Sequence, residues 1–173
     1  MAWVQRPALI RQQCPQWCWA ASISMIFASH GHFVDQTDIV QKTYGRPVCV
    51  TSGNPISIAR NLASNWVDSR GQPFSSRLVA AYDYYNGVQY INNAVIVNEL
   101  TNDRPLLYCN THHAMVVVSA TYYATPAGPN IQTIGVMDPW PASAGFHTLS
   151  ASEMLPATQQ GGEMTFLAAS FVT

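Results

Sequence analysis

Charge is scarce in this chain. Asp, Glu, Lys and Arg make up 10% of its 173 residues, against about 25% in ordinary soluble domains, so Asn, Gln, Ser and Thr must carry the surface. The formal net charge is −1, and no cluster of Lys and Arg exists to neutralise phosphates. That excludes an electrostatic footprint for nucleic acid or for an anionic membrane. Long apolar runs are absent too. The longest, such as Ala114–Ala120, are the size of a strand, far short of the roughly 20 residues of a membrane-spanning helix. The N-terminus has no basic segment followed by an apolar stretch, so it does not read as a signal peptide. No repeated C-x-x-C pair occurs, which makes zinc a minor reading, and no internal repeat is visible.

What the chain does have is core-forming material, 48% hydrophobic residues in a length near that of one ordinary domain. A single domain over residues 1–173 is expected. After an extended entry containing Pro7 and Pro15, the run Cys18–Ser29 places Ala21, Met25 and Ala28 at helical spacing and is stopped by Gly31. This predicts a largely buried helix that begins at or just before Cys18. Asp35-Gln36-Thr37-Asp38 resembles a capping box with Asp in place of Glu, and opens a short helix ending at Gly45. Arg46–Pro55 reads as a loop, and Ile56–Trp66 as a third helix. Val67–Tyr90 mixes Gly71, Pro73 and a tyrosine cluster and supports no single assignment. Asn92-Asn93 can cap a helix over Ala94–Leu100.

Beyond Pro105 the character changes. Leu106–Cys109, His113–Tyr123, Ile131–Met137 and Met164–Val172 are rich in β-branched and aromatic residues and separated by turn formers, the pattern of an antiparallel sheet. Helices in the first half and strands in the second predict an α+β fold, with a helix end facing a sheet edge across a cleft.

Cys14, Cys18, Cys49 and Cys109 are compatible with two disulfides, a metal site such as Cys18, Cys109 and His113, or a free nucleophile beside three others. The position of Cys18 at a predicted helix N-terminus suits a nucleophile, because the helix dipole there favours a thiolate. Acyl transfer also needs an imidazole within hydrogen-bond reach and an acceptor that fixes the tautomer of that imidazole. Candidates lie downstream, in His112-His113 ahead of an apolar strand and in Asp138 after another.

Gln12-Gln13-Cys14-Pro15-Gln16-Trp17-Cys18-Trp19-Ala20-Ala21 resembles the segment around the nucleophile of papain-like cysteine peptidases, in which a glutamine stands six positions before Cys-Trp-Ala. His113-Ala114 with the strand after it, and Asp138-Pro139-Trp140, are similar to that family's histidine and orienting segments and follow in the family's order. The resemblance implies Cys18 as nucleophile, His113 as general base, Asp138 as the residue orienting it, and Trp140 as a shield over that pair. It implies Gln12 as oxyanion donor, with Gln13 as fallback, and a disulfide between Cys14 and Cys49 that leaves Cys109 unpaired. A triplet Pro15-Gln16-Trp17 before the nucleophile, and a Cys-to-His interval shorter than papain's roughly 130–150 residues, point to a compact, divergent bacterial branch. That branch includes secreted peptidases and effectors delivered into host cells, so secretion or delivery to a target cell is the expected localisation.

The expected partner is a protein or peptide substrate met by a monomer, with no cofactor, nucleic acid or membrane. Fold and triad specify acyl chemistry but not the acceptor, so deamidation, acyl transfer, amide cleavage or a silent peptide-binding module stay open beside peptide hydrolysis. If His113 begins its strand, His112 points to the opposite face. Trp19 reads as a cleft-wall aromatic, Asp138 could serve only as a turn residue, and His30, His32 and His147 read as surface or capping residues.

Overall fold

A computed structural model describes residues 1–173. Its organising element is helix α1 (Cys18–Ser29), in which every residue from Trp19 to Phe27 is buried. A helix that is apolar on all sides has no face to give to solvent and must sit inside the molecule. Here it lies between the sheet on one side and helices α2 (Gln36–Tyr44) and α3 (Ile56–Leu62) on the other. Ser24 is tolerated within it because its hydroxyl donates to Val34 O at 2.6 Å. Gly31, at φ 85°, turns the chain out after the last turn, a conformation that glycine adopts without strain.

Asp35 caps α2 by accepting from Thr37 N at 2.8 Å, and Gly45 closes it in the left-handed region. The cap is one-sided, since Asp38 makes no return bond of the kind the capping-box reading implied. Asn92 caps α4 (Asn93–Thr101) through Val95 N. A short α5 (Ala151–Met154), which the sequence reading did not assign, carries a full Ser150–Glu153 capping box.

The sheet contains β1 (Ala2–Trp3), β2 (Asn65–Val67), β3 (Pro73–Asp83), β4 (Val88–Tyr90), β5 (Leu106–Cys109), β6 (Ala114–Thr125), β7 (Gly128–Asp138), β8 (Gly145–Thr148) and β9 (Phe166–Val172). Its order is β2-β3-β9-β5-β6-β7-β8, with β1 on β6 and β4 on β3, and every pairing is antiparallel. The α+β expectation holds, a helical first half against an antiparallel sheet.

Two local expectations change. The third helix stops at Leu62, and Trp66 pairs with Phe74 across β2 and β3. Trp66 packs against Phe27 and lies under Lys42 Nζ, so long-range contacts outweigh the helical spacing that runs through it. The unassigned Val67–Tyr90 segment supplies β3, which pairs with β9 along most of its length. Its alternation was masked by a register shift between Leu78 and Ala80.

Cys14 and Cys49 form a disulfide, with Cα atoms 6.0 Å apart. It ties the entry segment to the 46–55 loop, which Trp17 Nε1 and Trp19 Nε1 also hold by donating to Val48 O and Val50 O. Closing a loop of this span lowers the entropy of the unfolded chain by about 3–4 kcal/mol at room temperature. Replacing both cysteines by alanine is expected to lower the unfolding free energy by about that amount, read from urea denaturation.

Candidate active site

Strand register gathers the site at one end of the sheet. Cys109 at the end of β5 pairs with Ala114 at the start of β6, while β7 ends at Asp138, one residue past the Val116–Met137 pair. The N-terminus of α1 opens toward the same end, and the cleft between them has a volume of about 350 Å³, with Cys18, Trp19, Asn54, Cys109, His113 and Trp140 among its lining residues. Cys18 is a free, half-buried thiol and the first residue of α1. Trp17 offers no side-chain cap, and the Cys18 N–H donates to no backbone acceptor. Both the helix dipole and this open N–H favour negative charge beside the sulfur.

His113 stands one residue ahead of β6, in the turn from β5, rather than at the strand's first position. Both His112 and His113 therefore line the cleft, and strand alternation does not separate them. What separates them is bonding. His113 Nε2 is 2.6 Å from Asp138 Oδ1, which leaves Nδ1 as the ring nitrogen open toward the cleft that Cys18 also lines. Burial alone would lower the His113 pKa, but the hydrogen bond to Asp138 and the charges of Asp138 and Cys18 reverse this and push it up to about 9. For Asp138, burial acts upward, yet the bonds from His113 and from Trp140 N at 2.8 Å hold its carboxyl below the ordinary range. The Trp140 ring stands edge-on to His113, centroids 6.2 Å apart.

Asn110 shapes the turn that holds this histidine. Its Oδ1 accepts from His112 N at 2.9 Å and His113 N at 2.8 Å, while its own N–H donates to His113 O. The Asn-x-x-His spacing was in the sequence, but only the placement of the turn gives it a role. His147, on β8, brings Nδ1 to 4.0 Å from Asp138 Oδ2. This neighbour comes from the pairing of β8 with β7, which sets His147 opposite Val136. His32 is likewise not a plain surface residue, as it stacks on Phe74 at 4.2 Å and meets the buried Asp68 at 3.1 Å.

Gln12 and Gln13 depart from expectation. Gln12 is buried, and its Nε2 donates to Cys14 O and Pro15 O, both at 3.0 Å, while Oε1 has no partner. The Gln12 amide N–H groups are thus engaged by carbonyls of the entry segment. Gln13 Nε2 reaches Asp35 at 3.3 Å, away from the sulfur. The entry segment itself is firmly held, because Gln36 binds Arg11 O and Gln13 N, and Gln12 N donates to Pro139 O. Cys109 is buried at the cleft floor. Burial pushes its thiol well up, and the charges of Cys18 and Asp83 act the same way. No group of three or more His, Cys, Asp or Glu is arranged to hold a metal ion.

No family model matches the chain, and no curated protein matches it in sequence. Among solved structures it is similar to the peptidase domain of Streptococcus ComA, a bi-functional ABC transporter involved in a quorum-sensing pathway. The match has a TM-score of 0.50 and 15% identity, and covers 97% of this chain and 98% of that one. The fold is that of the papain-like cysteine peptidases. A double-glycine-motif protease from an AMS/PCAT transporter, in complex with the leader peptide, is also similar, at TM-score 0.48 and 15% identity over 99% of this chain and 97% of that one. In the papain-like fold seen here, a helix N-terminus faces the end of an antiparallel sheet, the relation that α1 and β5–β7 have in this chain.

The raised His113 pKa has a defined sign. Its folded value of about 9 lies above the unfolded 6.5, so the stability that this group contributes is fully present below pH 6.5 and is lost as pH rises through 9. NMR titration of the His113 ring should give a midpoint near 9, falling toward 6.5 in Asp138→Asn; a wild-type midpoint at or below 6.5 contradicts the geometry. Asn110→Ala leaves two turn N–H groups without their acceptor and should cost about 1–2 kcal/mol in urea unfolding.

Proposed function

We propose that this chain is a cysteine peptidase that hydrolyses peptide bonds in a protein or peptide substrate through Cys18, His113 and Asp138. The observation that supports it most is the bond between His113 Nε2 and Asp138 Oδ1 at 2.6 Å, at the edge of a cleft that His113 and the free thiol Cys18 line together. The Cys18 thiol gives its proton to His113 as Sγ forms a bond to the scissile carbonyl carbon, and the oxyanion develops beside the free Cys18 N–H at the head of α1. His113, protonated on the side facing the sulfur, passes that proton to the leaving amine as the C–N bond breaks. The acyl thioester that results is cleared by a water whose proton His113 accepts, which frees the carboxylic acid and restores the thiol pair.

Gln12 joins this scheme as the second oxyanion donor if its Nε2 exchanges one of its two carbonyl acceptors when substrate arrives. The Asp138 carboxylate keeps the imidazolium charged, and Trp140 covers the pair with its ring edge. Apart from His112 and His113, no ionisable nitrogen or carboxylate lines the cleft, so substrate is gripped by backbone and uncharged side-chain contacts. A monomer suffices, since every group in the scheme belongs to one chain. Secretion or delivery to a target cell belongs to the same proposal, and the Cys14–Cys49 disulfide supports an oxidising destination.

A thiol-directed peptidyl inhibitor followed by mass spectrometry tests the nucleophile. The adduct is expected on Cys18 and not on Cys109, whose burial keeps it a neutral thiol. With a peptide library, Cys18→Ala should lose cleavage by several orders of magnitude, and the wild-type kcat/KM should decline above about pH 9 as His113 loses its proton. An adduct elsewhere, or cleavage unchanged in the alanine variant, refutes the assignment. Labelling of Cys18 without cleavage of any peptide points to another acyl acceptor.

A further inference from the structure

The cleft runs across the end of the sheet, and strand pairing fixes the order of its floor. Asp83, Phe166, Cys109 and Ala114 stand side by side on β3, β9, β5 and β6. One step further out, Tyr84 N donates to Thr165 O, Thr165 Oγ1 to Asn110 O, and Asn110 N to His113 O. His113 is therefore three strands away from Tyr84, about 14 Å at the usual spacing. Trp140 lies on the other side of His113, past the end of β7. A substrate has one direction along this axis. The amine that leaves takes its proton from His113, so the leaving segment extends on the Trp140 side. The acyl segment, N-terminal to the scissile bond, extends the opposite way, past Cys109 and Thr165 toward Tyr85, all of which line the cleft.

At that end the two banks of the cleft are joined. Asn86, in the turn between β3 and β4, donates from Nδ2 to Asn54 Oδ1 at 2.8 Å, and Asn54 Nδ2 lies 3.5 Å from Asn86 Oδ1. Asn54 belongs to the helical bank, where its Oδ1 also accepts from Ile56 N at the head of α3. Asn86 belongs to the sheet bank, where its N and Nδ2 both donate to the buried carboxylate of Asp83. Each amide is anchored on its own side before it reaches across. Asn54 and Gly53 of one bank and Tyr85 of the other line the cleft just inside this contact.

An extended chain advances about 3.3 Å per residue, so about four residues fill the distance from the scissile carbonyl to the joined end. We propose that the Asn54–Asn86 pair is a clasp that closes the acyl end of the cleft, so that the protein releases short N-terminal pieces of up to about four residues rather than cutting within long chains. The direction of the chain rests on the peptidase reading. The limit is one of length and not of charge. No carboxylate lines the cleft to hold a terminal ammonium, and the Asp83 oxygens are occupied by Tyr85 N, Asn86 N and Asn86 Nδ2. Free and acetylated N-termini are therefore handled alike.

The test is a ladder of N-acetylated alanine-serine peptides ending in a thiol-directed vinyl sulfone, with two, four, six or eight residues ahead of the reactive group, timed by mass spectrometry for labelling of Cys18. Labelling should quicken from two residues to four and slow about tenfold at six and eight, as the opening of hydrogen bonds of this kind requires. Asn54→Ser keeps an oxygen for Ile56 N but is too short to reach Asn86, and Asn86→Ala removes the other half of the pair. In both variants the eight-residue reagent should come within about threefold of the four-residue one. Equal wild-type rates from four to eight residues overturn the proposal, as does a length penalty that survives in both variants or a marked preference for a free N-terminus. If the ladder behaves as expected but no library peptide is hydrolysed, the peptidase reading falls while the length limit stands for the acyl group that the thiol takes. If library peptides are cleaved far from their N-termini, the peptidase reading stands and the clasp falls. Absence of label on Cys18 with every reagent overturns both.

Discussion

The complete burial of α1 is the constraint on which the rest of the molecule depends. Nine consecutive residues of this helix are out of solvent, so the chain has to enclose it with a sheet on one side and helices on the other. Its two ends cannot be enclosed in the same way, because the first N–H groups have no partners inside the helix and need acceptors or open space. The C-terminal end is closed by Gly31 and the bonds from His30 and Gly31 back into the last turn. The N-terminal end is left facing the end of the sheet, and Cys18 is the residue placed there.

Around that end, a few polar groups are fixed within apolar surroundings. Asp138 is 7% exposed, yet it stays ionised because an imidazole and a backbone N–H both donate to Oδ1. The same carboxylate holds the charge of His113 against the effect of burial, so each group makes the other's charged form tenable. Asn110 fixes the turn, Trp140 bounds one side, and the disulfide with the two indole N–H bonds holds the opposite wall. Mobility is restricted on both banks of the cleft, as precise positioning of reacting groups requires.

The two faces of the sheet serve different ends. On β5, Cys109 lines the cleft while its neighbour Tyr108 turns the other way and donates its hydroxyl to Glu153 O at α5. That division follows from the two-residue period of strands.

Long periodic elements were legible in the sequence because their local pattern agrees with their final environment. α1, α2, α4 and the strands β5, β6, β7 and β9 fall close to where apolar spacing and capping residues put them. The misses have a common cause in long-range pairing. Trp66 left a helical pattern for a strand because Phe74 and Phe27 lay ready to pack with it, and β3 was hidden by a register shift that its partner strand accommodates. In the site, Cys18, His113 and Asp138 could be named from motif and order, since a family pattern is itself a sequence feature. Asn110 and His147 could not be named, because their importance depends on a turn and a strand neighbour that no local pattern announces. Nor could the sequence reveal that the amide of Gln12 bonds to the carbonyls of its own loop, or that the buried Tyr82 hydroxyl has no hydrogen-bond partner. What the sequence by itself determined was which segments must be buried and which residue types could do acyl chemistry. Which of those residues meet, and which polar atoms lack a partner, was decided only by tertiary structure, because hydrogen bonds and cavities depend on distances between segments far apart in the chain.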